Sequence, residues 1–477
     1  MDIKNTEKYN ISNICCIGAG YVGGPTMAVL ASYCPGIRIN VVDLNLERIN
    51  KWNGELSQLP VFEPGLDEII KSVRNKNLFF STKVRESIEN ADMIFISVNT
   101  PIKTKGIGAG QASDLTWVES SAREISKYAK GHTIVVEKST LPVKTAEIIK
   151  SILYSSENSE SLVNDKKTFS VISNPEFLAE GSAIENLKYP DRVLIGGEDE
   201  FSVEALKRIY LNWVKKEKII TTNLWSSELS KLIANAFLAQ RISSINSVSM
   251  ICESTGANVN EVAKAVGTDT RIGEKFLESG PGFGGSCFKK DILNLIYICR
   301  SLFLNEVADY WEGVLLINDW QQNRVYKTIV EKLYGNLNEK KLLILGYAFK
   351  ANTNDTRNSP AIEICTNLLK EGAFLIINDP KVTEEEVYKS LFNKNELSNK
   401  NVFFEKDILK AANQVDAIII LTNWQEYKNL NWEKVFQRMR RPAWVFDTRH
   451  VLSSQIINES KLNIWQLGNG SNHLNNN

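Results

Sequence analysis

One of the seven cysteines, Cys287, follows a dense glycine cluster in ESGPGFGGSCFKKD (residues 278–291) with only Ser286 between, and precedes two lysines and an aspartate with only Phe288 between. Such a cluster costs backbone entropy on folding and marks a tight turn or a close backbone approach. With Ser286 as cap, Cys287 is expected to open a helix. There the N-terminal amides, with Lys289 and Lys290, favour a thiolate over a thiol of ordinary pKa about 8.5. Two readings fit: a reactive sulfur, or a small buried hydrophobe, the commonest state of an unbridged cysteine. SNPEFLAEG (173–181) sets Glu176 and Glu180 one turn apart, on one face if the segment is helical; two solvated carboxylates are the plainer reading. Lys231 and Asn235 hold the same spacing on a long helical pattern, opposite its apolar stripe. That face is either solvated or turned to a ligand crevice.

At the other end of the chain, IGAGYVGG carries Gly18, Gly20 and Gly23 between a strand signal and a helix-compatible run, and Asp43 closes the next strand. Glycines at this spacing let backbone approach a pyrophosphate at a helix N-terminus, and the acid takes a ribose hydroxyl while repelling a 2′-phosphate. The combination points to NAD rather than NADP, with Arg48 placed to soften that preference.

The elements around these residues follow one grammar, used twice. Short apolar runs ICCIG, INVVDLN, MIFISVNTP, TIVVEKST, FSVISNP and VLIGG, separated by helix-length segments, predict a doubly wound parallel sheet over residues 1–222. Residues 226–256 form one long helical pattern, with Leu229, Leu232, Ile233, Ala236 and Phe237 as its apolar stripe and Gly256 as its stop. Helical patterns resume through about residue 333, so 223–335 is expected to be a helical connector that also dimerises. KLLILGYAFK, FLIINDP, DAIIILTNW and VFDTRH then repeat the first plan over 336–466, with VFDTRH as the last strand. The expected fold is α/β: two Rossmann-like domains joined by a helical section. The turn GYAFK lacks the full glycine fingerprint, so a nucleotide-shaped ligand fits it better than a second dinucleotide. The Asn-rich tail, 467–477, is expected to be disordered.

Composition narrows the classes. Lys+Arg and Asp+Glu are 56 each, which argues against a nucleic-acid or anionic-membrane partner. Scattered cysteines without a CxxC pair, and only 3 histidines, leave no zinc set and no disulfide framework. No secretion signal or spanning apolar run is evident, so a cytoplasmic protein with reduced thiols is expected.

ICCIGAGYVGGP, FISVNTP, EKST, SNPEFLAEG, WSSELSKLIANAFLAQRISSIN, GFGGSCFKKD and DTR stand in the order typical of the UDP-glucose 6-dehydrogenases. The chain resembles that family over roughly residues 12–466, and the animal-type members most. It is also similar to GDP-mannose and UDP-N-acetylmannosamine dehydrogenases, the alternative within the class. The resemblance implies a nucleophile at Cys287 and a base for a hydrolytic step at Glu176. Lys231 and Asp291 would polarise or hold oxygens, Asn235 would donate to an oxyanion, and Thr140 would orient a water. On the cofactor side it implies Gly18, Gly20, Tyr21, Val22, Gly23, Asp43 and Arg48, then Val98, Asn99 and Thr100. Ser139, Thr140, Glu180, Cys287 and Lys290 complete that side. On the substrate side it implies Glu176, Phe177, Leu178, Ala179 and Glu180, together with Lys231 and Asn235. Phe276, Gly282, Phe283, Gly284 and Phe288 would wrap the sugar nucleotide. Phe349, Lys350 and Arg449 would meet its diphosphate and sugar, and Arg271 would reach across from a neighbouring subunit. No metal is implied; a homo-oligomer is, dimeric through the long helix and hexameric in animal-type members. Two features depart from the pattern: Lys289, where glutamine is common, and the Gly280-Pro281 start of the loop.

The implied chemistry explains the parts. Oxidising a primary alcohol to a carboxylate takes two hydride transfers, hence two NAD. An aldehyde has no second hydride route until a thiolate adds to it, and the resulting thioester is hydrolysed by water with a carboxylate base. A single-step hydroxyacid dehydrogenase would share the domain plan and need no cysteine.

Overall fold

The computed structural model describes residues 11–155, 167–392, 399–459 and 462–470. The chain divides into two compact units, Met1–Ala234 and Asn235–Asn477. In the first, β1 (Asn13–Ile17), β2 (Arg38–Val42), β3 (Leu78–Ser81), β4 (Met93–Ile96), β5 (His132–Glu137), β6 (Thr168–Ser173), β7 (Val193–Gly197) and β8 (Ile219–Thr222) form one sheet. Its order is β3-β2-β1-β4-β5-β6-β7-β8. Pairing is parallel except where β7 meets β6. Residues such as β4's Met93–Ile96 are buried throughout, because helices cover both faces. Alternate strand residues accordingly feed two cores: Ile14, Cys16, Met93 and Phe95 on one side, Cys15, Ile17, Ile94 and Ile96 on the other.

The second unit carries β9 (Lys341–Leu345), β10 (Phe374–Asn378), β11 (Val402–Phe404), β12 (Ala417–Ile420), β13 (Trp444–Asp447) and β14 (Asn463–Gln466). Their order, β11-β10-β9-β12-β13-β14, repeats the first six positions of the other sheet. The doubled Rossmann plan read from the sequence is therefore present, with the expected helical section: a helix Leu224–Thr255, then Val259–Gly267, Phe288–Ser301 and Asn305–Lys332. Residues of that section up to Ala234 belong to the first unit and the rest to the second.

Three expectations are corrected. The last strand is β14, beyond VFDTRH, pairing with β13. The tail begins later than residue 467: Val259 donates its amide to the Gly468 carbonyl, Gly468 donates to Glu253 Oε1 at 2.7 Å, and Gly470 donates to the Ala257 carbonyl at 2.8 Å. Residues 471–477 lie outside the described residues. Finally, the apolar stripe does not define the inner face of the long helix. Leu229 and Phe237 are exposed, while Ser227, Glu228, Lys231 and Asn235 are buried beside Leu232 and Ala236. Buried polar groups with partners have displaced the larger apolar ones.

Candidate active site

The turn after β1 is built for close approach. Gly18 adopts φ +109°, and a Cβ there would lie 2.4 Å from the Ser97 carbonyl oxygen at the end of β4. Nothing lies within 4 Å of the Cβ position of Gly20. The helix that follows, Gly23–Tyr33, has no side-chain cap; the Gly24 amide donates to the Gly20 carbonyl at 3.2 Å and Pro25 has none, so an anion here would meet the amides ahead of them, at Val22 and Gly23. Trp52 pins this turn: its Nε1 donates to the Ala19 carbonyl at 2.9 Å. Asp43 accepts from the Ala19 amide at 2.9 Å and from Arg48 Nη1 at 2.9 Å, yet its side chain keeps 12% exposure. A carboxylate left accessible at the end of β2, beside room for a pyrophosphate, fits a dinucleotide. At the ends of β4 and β5, Thr100 Oγ1 donates to the Thr140 carbonyl (3.1 Å) and Ser139 Oγ to the Val98 carbonyl (2.7 Å). These loops thus meet at the carboxyl end of the sheet.

Beyond β6 the chain is irregular rather than helical, so Glu176 and Glu180 share no helical face. Nor is Glu176 solvated: it is buried, with Lys231 Nζ 3.1 Å from Oε1 and the Leu178 amide donating to Oε2 at 2.6 Å. Burial alone raises a carboxyl pKa, but Lys231, the Leu178 amide and the more distant Lys138 outweigh it and hold Glu176 below the usual value. The next residue, Phe177, lies under the Arg192 guanidinium at 3.8 Å. Ala179 donates its amide to Asn186 at 3.0 Å, which with the Glu176–Leu178 bond fixes the loop's path.

In the second unit, the helix Phe288–Ser301 has Cys287 itself at its N-cap; Ser286 is not the cap, and its Oγ lies 3.4 Å from the Cys287 sulfur. All seven cysteines are thiols, and Cys287 alone is not buried. Burial pushes Cys15 and Cys365 up, Cys16 to about 12 and Cys34 to about 11, leaving those thiols protonated. One turn into the helix, Asp291 is buried, accepts from Asn235 Nδ2 at 2.6 Å and has Lys290 Nζ at 3.8 Å. Asn235 and Lys231 are therefore both anchored to carboxylates, not solvated.

The glycine loop is packed by protein on both sides. Asn246 accepts from the Gly280 amide at 2.9 Å, Gln321 donates to the Gly280 carbonyl at 2.8 Å, and Asn318 accepts from the Phe283 amide at 2.7 Å. A Cβ on Gly284 would lie 2.4 Å from the Asn358 carbonyl oxygen, and one on Gly280 2.6 Å from Arg449. Gly282 turns at φ +120° beside Asn318, and the Phe349 ring packs on Gly285. Phe283 and Phe276 meet Phe288 edge-on at 5.8 and 6.5 Å. Lys350 lies 5.6 Å from the Phe349 ring. Arg449 donates to the Leu421 carbonyl at 2.9 Å, and burial lowers its pKa to about 10 against the opposing charge of Glu278, so it stays a cation. Arg271 is exposed and bridged to Asp269 of its own chain at 2.6 Å.

The structure thus gathers Glu176, Phe177 and Lys231 in the first unit, and Asn235, Cys287, Lys290 and Asp291 in the second. Sequence reasoning passed over Lys138, Asn174 and Tyr210, which form a buried cluster behind Glu176, and Asn246, Asn318 and Gln321, which hold the glycine loop. Their only signal was polarity inside apolar periodicity.

A Rossmann sheet with this turn and acid makes the chain an NAD-dependent dehydrogenase by class. Three segments match the UDP-glucose/GDP-mannose dehydrogenase family: its NAD binding domain over 12–214, its central domain over 225–320 and its UDP binding domain over 343–454. UDP-glucose 6-dehydrogenase 3 of Arabidopsis thaliana is 52% identical over 472 residues, covering 95% of this chain and 96% of the relative. UDP-glucose 6-dehydrogenase 5 of rice, Oryza sativa subsp. japonica, is 51% identical at the same coverage. A UDP-glucose dehydrogenase structure from the hyperthermophilic archaeon Pyrobaculum islandicum superposes with a TM-score of 0.82 at 31% identity, covering 95% of this chain and 97% of that one. The chain belongs to the UDP-glucose/GDP-mannose dehydrogenase family.

Proposed function

We propose that this chain oxidises C6 of UDP-glucose to the carboxylate, giving UDP-glucuronate, with two NAD reduced and one water consumed. The observation that carries the mechanism is Cys287: the one thiol of seven that is not buried, at a helix N-cap one turn before a buried carboxylate. NAD, held by the Gly18–Gly23 turn and Asp43, supplies the hydride acceptor for both oxidations. Cys287 adds to the aldehyde carbon, its negative sulfur favoured by the first-turn amides, and the thiohemiacetal is oxidised to a thioester. Lys231 and Asn235, held in place by Glu176 and Asp291, donate to the oxygen that becomes anionic at each tetrahedral stage. Thr140 orients the attacking water and Glu176 takes its proton, which releases the acid. Lys350 and Arg449 offer positive charge to the diphosphate, and the cradle of Phe276, Phe283 and Phe288 receives the sugar nucleotide.

We assign residues 1–222 to the cofactor, 223–335 to dimerisation and 336–466 to the UDP-sugar. Exposed Leu229, Phe237, Met250 and Ile251 along the long helix suit a dimer interface, and trimers of dimers would place Arg271 at a neighbour's site. No helix among the described residues is long and apolar enough to cross a membrane; we place the enzyme in the cytoplasm. The test is a pair of variants. Cys287→Ala is expected to stop UDP-glucuronate formation, and Glu176→Gln to accumulate the thioester as a covalent mass increment on the intact chain. Acid production by Cys287→Ala contradicts the reading.

A further inference from the structure

Lys138 is the first residue beyond β5 and is only 3% exposed. Its ammonium donates to Asn174 Oδ1 at 2.9 Å and to the Tyr210 hydroxyl at 3.3 Å, and Tyr210 in turn donates to the same Asn174 oxygen at 2.6 Å. Asn174 is tied on its other sides, donating its amide to the Glu137 carbonyl and its Nδ2 to the Leu194 carbonyl, both at 2.8 Å. No carboxylate lies within ion-pairing distance of Lys138 among the described residues. A buried ammonium with only neutral partners is costly, and a core packed for stability alone would be better served by methionine. Something nearby must repay the charge. Asn174 sits two residues before Glu176, on the short segment that carries that carboxylate out of β6.

We propose that Lys138 is a positioning residue for the hydrolytic step: through Asn174 and Tyr210 it fixes the root of the Glu176 loop, and it supplies that carboxylate with a second positive charge. The inference rests on Glu176 being the base. It explains why one cation is not enough. Lys231, the direct partner of Glu176, has to spend donors on the substrate oxygen, whereas Lys138 is enclosed and touches no reacting atom. Glu176 then faces Lys231 from the long helix and Lys138 from the end of β5. Around Lys138 stand the Cys16 thiol of β1, the Tyr210 hydroxyl of the helix Glu200–Tyr210, and, next in the chain, Glu137, which faces Glu228. Arg192 lies on the Phe177 ring, and Glu180 is further along the same loop. Among the forces on the Glu176 carboxyl, burial acts upward, and Lys231 and then Lys138 act downward.

The test uses the full-length enzyme. Lys138→Met is expected to keep both KM values within about twofold and to move the acidic limb of the kcat profile upward by about one pH unit, so that kcat falls several-fold in acidic buffer and recovers toward the wild-type rate as pH rises to neutrality. Lys138→Arg is expected to keep the limb where it is. Lys138→Gln, which retains a donor for Asn174 without the charge, repeats the methionine result should that variant not fold. A lower kcat with an unmoved limb in both neutral variants, or no change at all, overturns the proposal. Glu176→Gln separates the two levels. If it fails to accumulate thioester, the base assignment falls; if it accumulates thioester while the Lys138 limb stays put, only the Lys138 role falls.

Discussion

The two sheets share a strand order and differ in what they do with the turn after the first strand. In both, a glycine at positive φ runs close to the neighbouring strand: Gly18 against Ser97, and Gly346, at φ +93°, with its Cβ position 2.3 Å from Thr422. In both, an aspartate closes the second strand and reaches back to the turn. Asp43 takes one turn amide and retains exposure. Asp379 is 4% exposed, and its Oδ2 accepts from the Tyr347 and Ala348 amides and Trp424 Nε1 at 2.7, 3.0 and 3.2 Å. Its Oδ1 takes the Lys381 and Val382 amides. The first aspartate keeps an accessible carboxylate; the second is spent on the fold. The helices differ in the same sense. Gly23–Tyr33 starts at the third glycine of the fingerprint, whereas Pro360–Lys370 starts well after Lys350 and is capped by Ser359. One framework therefore yields an open turn in one unit and a packed turn in the other.

Breaking the first turn should give the largest effect. Gly18→Ala puts a Cβ against the Ser97 carbonyl at a φ that alanine avoids, and NAD affinity is expected to fall by about 100-fold or more with a stability loss of about 3 kcal/mol. Calorimetric NAD titration and thermal melting check it. The aspartates should then separate cleanly. Asp379→Asn turns an amide toward donors already in place and is expected to lose about 3 kcal/mol of stability without changing the NAD Kd. Asp43→Asn is expected to raise that Kd about tenfold while costing less stability. If both variants act on NAD alike, the contrast between the turns is wrong.

The ends of the fifth strands sharpen the comparison further. In β13, Asp447 accepts from the Arg449, Val451 and Leu452 amides and Gln466. In β5, neither carboxyl oxygen of the buried Glu137 receives a hydrogen bond from a donor group, and the residue faces Glu228, itself held by the Lys144 and Ala146 amides. Burial and the Glu228 charge push Glu137 well up, and burial also raises Glu228, so the fold favours protonation of the pair. Raised carboxyl pKa values add stability below the ordinary carboxylate range and lose it as pH rises toward the shifted values. Glu137→Gln supplies a permanent donor, so its stability should exceed wild type by about 1 kcal/mol at pH 8–9 and converge with it near pH 5. Denaturant melts across that range check it. The smallest effect is expected from Arg48→Ala: the ion pair to Asp43 is 42% exposed on the arginine side, and its loss should cost about 0–1 kcal/mol while sharpening NAD over NADP a few-fold.

The doubled sheet was legible because parallel strands buried on both faces leave unbroken apolar runs such as IIIL and IVV. β3, β8, β11 and β14 were missed because three or four residues with polar neighbours leave no such run. The inner face of the long helix was misread for a deeper reason. Periodicity assigns burial to apolar residues, whereas Lys231, Glu228 and Asn235 are buried because each has a polar partner distant in sequence. Partners of that kind, including those of Lys138 and Glu137, exist only once the chain is folded. The close packing around Gly280 and Gly284 was announced by the glycines, but not that Arg449 and Asn358 supply it.

The central claim is a four-electron oxidation through a thiol. Counting NADH released against UDP-glucuronate formed, with limiting UDP-glucose and excess NAD, tests it most directly. The account predicts two NADH for each sugar and no released aldehyde; one NADH per sugar, with an aldehyde product, would contradict it.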